Sequence, residues 1–135
     1  MPDAAELRQH IAEARSRLQR TVPKVADRWA VSSGGEARSP QANAEHALQV
    51  EHYFATVIAE AIGASPPAAC EFSCATPDDA LAGLRTLNDA TQAIVDAVSD
   101  DDLEKVSPVF GTVYGTMALA AHHMNLHTLE IKDID

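Results

Sequence analysis

Gly63-Ala64-Ser65-Pro66-Pro67-Ala68-Ala69-Cys70-Glu71-Phe72-Ser73-Cys74-Ala75-Thr76-Pro77 separates two long helix-forming runs. Its paired prolines and small residues break regular structure. Residues 64 to 76 are more than the roughly eight needed to turn a helical hairpin. A connector this long can run the length of a bundle and set the flanking helices parallel. Upstream, Ser39-Pro40 offers an N-cap followed by proline at the first helical position, and Gly63 is a C-cap. That predicts helix two over 40–62, with Val50, Tyr53, Phe54, Val57, Ile58 and Ala61 as its apolar stripe. Downstream, Thr76-Pro77-Asp78-Asp79 opens helix three, with a stripe of Leu81, Leu84, Leu87, Thr91, Ile94, Val95 and Val98. Asn88 and Thr91 are polar residues on that stripe, either satisfied in the core or lining a pocket.

Two further helices complete the pattern. Helix one is predicted over about Ala4 to Trp29, carrying Leu7, Ile11, Ala14 and Leu18 on one face, with Pro23 as its interruption. Ser32 to Arg38 reads as a flexible connection. Ser99-Asp100-Asp101-Asp102 reads as acidic capping of a turn rather than a calcium loop, because the alternating oxygen ligands and distal glutamate are missing. Pro108 to Gly115 leads into helix four, which continues to about Ile131.

The chain has 135 residues, 46% of them hydrophobic but only 4% aromatic. Apolar content that rests on Ala, Leu, Val and Ile in one domain of this length predicts an all-α fold over 1–135. The formal net charge of -10 disfavours nucleic acid and anionic membranes as partners. No apolar run reaches the roughly 18 residues of a spanning helix, and the acidic N-terminus is unlike a signal peptide, so a cytoplasmic location is expected. Cys70 and Cys74 read as free thiols; a disulfide redox role for them is the weakest reading.

Chemistry concentrates in His122-His123-Met124-Asn125-Leu126-His127. A helix advances about 100° per residue. With Ala120 as reference, His127 lies about 20° and His123 about 60° from the apolar stripe, and His122 about 160° away. On helix two, His46 lies about 40° from Val50 and His52 about 160°. His10 falls on the flank of helix one. Phasing therefore selects His46, His123 and His127. Three inward imidazoles without partners cost roughly 1–3 kcal/mol each, and one shared metal ion satisfies all three. Neutral imidazoles favour zinc, with nickel, iron or manganese as alternatives. Tyr53, Asn88 and Thr91 are the candidate pocket residues. No inward Asp or Glu is identified on a core stripe, so no catalytic base is assigned.

Ser39-Pro40-x-x-Asn43-x-x-His46 with Tyr53-Phe54, and His123-x-x-x-His127-x-x-Glu130-Ile131, resemble two motifs of the DinB/YfiT-like proteins. Asp101-Asp102-Leu103 and Pro108-Val109-Phe110-Gly111 add to the likeness, which covers nearly the whole chain. The resemblance implies a four-helix bundle, up-down-down-up, with a long crossover between helices two and three. It implies a divalent metal on His46, His123 and His127, a homodimer, and a metalloenzyme of thiol-dependent transferase or hydrolase type acting on a small molecule with a low-molecular-weight thiol. The alternative is a non-catalytic metal- or small-molecule-binding bundle. The family's Gly-Gln pair is Leu129-Glu130 here. Glu130 is either a partner for a ligand's ring N–H or a surface acid.

Overall fold

The first helix, α1 (Ala4–Thr21), stops where the chain approaches a proline. Pro23 has no N–H to donate, and its ring crowds the carbonyl four residues back. The backbone therefore tightens into a 3-10 segment, Val22–Arg28, with a non-helical break at Val25 (φ -115°, ψ 18°). The expected helix to Trp29 is thus shorter: Val22, Val25 and Trp29 are still buried, but on a kinked extension.

That chain is a computed structural model describing residues 2–32, 38–107 and 109–132. Residues 33–37 of the expected flexible connection Ser32 to Arg38, and the lead-in residue Pro108, lie outside the described residues. Three more helices follow: α2 (Pro40–Ile62), α3 (Pro77–Ala97) and α4 (Val113–Lys132). Their ends obey local chemistry. The Ser39 hydroxyl accepts from the Ala42 N–H, and Gly63 closes α2 in the left-handed conformation (φ 74°). Thr76 and Asp79 form a reciprocal capping box on α3. The Thr112 hydroxyl accepts from the Gly115 N–H at the start of α4. Ser99 and Asp102 pair the same way around the acidic turn. Asp100 adds a long-range cap, its carboxylate accepting the Ala4 N–H at 2.9 Å.

Cross-helix bonds fix the directions. Arg8 reaches the Val98 carbonyl and Arg15 reaches Asn88, so α1 and α3 run antiparallel. Arg17 meets Asn125 and Arg28 meets the Lys132 carbonyl, so α1 and α4 run parallel. Asn43 meets His127 and Phe54 meets Phe110, so α2 descends as α4 rises. The bundle is up-down-down-up. Each of α1 and α2 packs against both α3 and α4, which leaves α1 and α2 on one diagonal.

The crossover runs back along α2. Glu45 accepts the Cys74 N–H at 2.7 Å, Gln49 donates to the Cys70 carbonyl, and His52 Nε2 lies 2.7 Å from the Ala68 carbonyl. The buried Trp29 indole N–H donates to the Cys74 carbonyl at 2.9 Å. These bonds satisfy a stretch of backbone that has no ladder of its own. Parallel packing of α2 and α3 is close at Gly83, where an added Cβ would meet Leu48 Cδ1 at 3.0 Å.

The core joins Leu7, Leu18, Leu48, Ile58, Leu87, Met117, Met124 and Ile131. On α4 the buried stripe is the expected one. On α2 it is rotated: Ala44, Leu48, Glu51, Ala55 and Ile58 are buried, Val50 is half-buried and Tyr53 is 46% exposed. Packing against α3, α4 and the crossover together moves the buried arc away from the most apolar-looking line.

Candidate metal centre

Helix α2 brings one imidazole and α4 two. The ligand nitrogens of His46, His123 and His127 all lie within 4.8 Å of one another, so the three residues can hold a metal ion. Spacing i, i+4 stacks His123 and His127 one turn apart, with ring centroids 4.3 Å apart. The antiparallel α2 sets the His46 ring 4.9 Å from His127 and 5.7 Å from His123. His127 is buried, and His46 and His123 are partly exposed, so the cluster has a deep side and an open side. His122 and His10 are exposed, and His52 is taken by the crossover.

Asn43, one turn before His46, is buried at 1% exposure. Its Oδ1 lies 3.0 Å from His127 Nδ1, and its amide nitrogen donates to the Arg38 carbonyl at 3.4 Å. With the amide so oriented, His127 donates from Nδ1 and keeps a lone pair on Nε2. That Nε2 faces His123 Nε2 at 3.0 Å. Two imidazole nitrogens on one tetrahedral ion sit about 3.3 Å apart, given bonds of about 2.05 Å. His123 Nδ1 is buried with no partner among the described residues. The facing Nε2 atoms stand close to the separation that two ligands of one cation require.

Burial is the leading cause that lowers all three imidazole pKa values. His127 is pushed down to about 4 by burial, with His123, His46 and Arg38 adding charge repulsion. His123 is lowered by burial, then by His46, Arg38 and His122. His46 is lowered by burial and by Arg38, with Glu130 opposing. The rings are therefore neutral at pH 7, as metal ligands must be.

Glu130 Oε2 lies 3.6 Å from His127 Nδ1, on a side chain that is 44% exposed. That separation is beyond a hydrogen bond, so Asn43 holds the ring N–H and Glu130 contributes charge. Phe54 packs edge-on to His123 at 5.7 Å, Phe110 packs on Phe54 at 5.0 Å, and Tyr53 packs on Phe110 at 6.0 Å. The exposed Tyr53 is thus linked to His123 through the rings of Phe110 and Phe54.

Asn88 and Thr91 are not at the histidines. The Arg15 guanidinium takes both, at 2.9 Å to Asn88 Oδ1 and 3.3 Å to Thr91 Oγ1, on the side of the bundle formed by α1 and α3. Glu51 Oε1 stands 3.8 Å from the same guanidinium. Arg15 is 6% and Glu51 2% exposed, which corrects the expectation that no acid faces the core. Sequence spacing carried the signal. Arg15 is four after Ile11 and three before Leu18, and Glu51 is three after Leu48 and four before Ala55. Asn43 likewise sits one turn before Ala47. A scan for polar residues at stripe spacing finds all three.

No family model matches the chain, and neither a curated protein nor a solved structure matches it significantly.

Proposed function

We propose that this protein binds one divalent metal ion through His46, His123 and His127 and is a metal-dependent enzyme of thiol-transferase or hydrolase type. The observation that carries the reading is the convergence of three neutral imidazoles from α2 and α4, with His127 held in its ligating tautomer by Asn43. The DinB/YfiT-like motifs around the same histidines support it. A divalent ion held by three imidazoles supplies a Lewis-acid position at which a thiol or water loses a proton near neutral pH. The chain's own residues arrange that position. Asn43 orients His127, Phe54 closes an apolar wall beside His123, and the partly exposed His46 and His123 leave an approach from solvent. Zinc suits three neutral nitrogen ligands best. A cytoplasmic homodimer acting on a small molecule completes the reading.

A second reading, a non-catalytic metal-binding bundle, is favoured by one observation. The strongly buried acid, Glu51, belongs to Arg15 and not to the histidines.

Elemental analysis tests the first part. Purification without chelators yields about one divalent ion per chain, lost in His127→Ala. A metal-free wild type that stays folded rejects the site. Titrating the cobalt-substituted protein with thiols then separates the two readings, since a spectrum unchanged by every thiol rejects thiol transfer.

A further inference from the structure

Between α1 with its 3-10 extension and the last turns of α4 lies an open cleft of ≈ 290 Å³. Arg17, Arg20, Lys24 and Arg28 line one wall, at spacings of three or four residues. Lys132 comes from the other wall, with Leu129 beside it. Five of the chain's 10 Lys and Arg thus meet here. The chain carries 20 acidic residues, yet among the described residues no Asp or Glu lines the cleft. Arg17, Arg20, Lys24 and Lys132 are exposed, so these cations are reachable from solvent.

Their neighbours leave most of this charge unanswered. Glu13 stands 3.8 Å from Arg17, but the two side chains are 47% and 49% exposed, where an ion pair is worth little. Arg17 also donates to Asn125, and Arg28 donates to the Lys132 carbonyl at 3.4 Å; both acceptors are neutral. Arg20, Lys24 and Lys132 have no ion pair among the described residues. Cations also gather at the C-terminal ends of helices, and the parallel α1 and α4 both end here. Each end carries about half a negative charge, so the two answer about one of the five cations. Like charges three or four residues apart repel one another, and an anion in the cleft removes that cost.

Arginine's planar fork pairs with phosphate oxygens, and lysine adds a point charge. A single phosphate reaches only part of a cluster drawn from two walls, whereas linked phosphoryl groups reach more of it at once. The cleft equals about ten waters in volume, at roughly 30 Å³ each, which suits a short chain of such groups. A long polyanion would run out onto a surface where 20 acidic residues face the other five cations, and would be repelled there.

We propose that the α1–α4 cleft binds a small anion carrying two or more linked phosphoryl groups, held by Arg17, Arg20, Lys24, Arg28 and Lys132. The cleft lies on the α1 side of α4, whereas His127 meets Asn43 of α2, so the site does not rest on the metal reading.

The test is titration of the isotope-labelled full chain with sodium tripolyphosphate, followed by backbone amides. Sodium sulfate and sodium chloride at equal ionic strength are the controls. A saturable shift centred on residues 17–28 and 128–132 is expected, with tripolyphosphate about ten-fold or more tighter than sulfate. Arg20→Gln/Lys24→Gln changes two exposed positions and weakens binding about ten-fold or more. Arg85→Gln/Lys105→Gln removes the same charge from exposed positions elsewhere and leaves binding unchanged. A nucleoside triphosphate binding more tightly than tripolyphosphate supports the site and makes nucleotides its source of phosphoryl groups; weaker binding supports it and makes the bare phosphate chain the ligand. No saturable shift, equal losses in the two double variants, or shifts centred on His46 and His123 overturn the site. Sulfate or an oligothymidylate binding as tightly as tripolyphosphate overturns the ligand class.

Discussion

Asn43 Oδ1 and His127 Nδ1 lie 3.0 Å apart, both buried, and join α2 to α4 at the deepest point of the histidine cluster. With the Asn43 amide nitrogen turned to the Arg38 carbonyl, its oxygen accepts from His127 Nδ1. The bond also holds the imidazole plane, because the Asn43 amide is itself tethered to the Arg38 carbonyl.

Asn43→Ala removes that orienting acceptor and leaves the three ligands in place. Metal affinity is expected to fall about 10- to 100-fold, the usual effect of losing a ligand's hydrogen-bond partner. Competition with a chromophoric chelator reads this directly. Affinity unchanged from wild type would show that Asn43 does not orient the ligand.

Glu51 makes stability depend on pH. Burial pushes its carboxyl up to about 8, and the pull of Arg15 only partly opposes this. The folded-state value lies above the ordinary one near 4.5, so the folded protein binds more protons between the two values. The protonated acid's contribution is fully present below about pH 4.5 and is lost as pH rises toward about 8. Urea unfolding of metal-free protein at both ends of this window should show wild type losing about 2–4 kcal/mol more than Glu51→Gln. Equal losses in both would place the proton elsewhere.

The two cysteines differ in reactivity. Burial, then Glu45 and Asp79, push the Cys74 thiol up to about 11. Its thiolate population is about 100-fold below that of an ordinary cysteine at neutral pH. Cys70 is only partly buried. Iodoacetamide on the native protein should alkylate Cys70 first and reach Cys74 only after unfolding, as peptide mass mapping would show. Equal labelling rates would contradict this placement of Cys74.

Trp29→Phe keeps an aromatic ring against the core and deletes the indole N–H bound to the Cys74 carbonyl. Leaving that carbonyl unpaired should cost about 1–3 kcal/mol. Hydrogen exchange should quicken at residues 70–75, where the crossover meets α2. A stability loss without faster exchange there would mean that the ring's packing, not the bond, holds the crossover.

Helix ends were legible because they depend on neighbours in sequence. Ser39-Pro40, Gly63 and Thr76-Pro77 each carry their own cap, and all three predicted boundaries match α2 and α3. Pro23 was equally local, and the helix ends just before it at Thr21. The inward direction of His123 and His127 and the outward direction of His122 follow from helical phase alone. Tyr53 was misplaced because phase was measured from Val50, an apolar residue near the edge of the buried arc of α2. Asn88 and Thr91 did face inward, but toward Arg15.

The sequence by itself determined the four helices, the long crossover and which imidazoles face inward, because caps and periodicity act over a few residues. Only the tertiary structure decided that Asn43 rather than Glu130 takes His127 Nδ1, and that Glu51 crosses the bundle to Arg15. Those pairings depend on distances of a few ångströms between helices remote in sequence. Such distances are set by how whole helix faces pack, and no local pattern encodes them.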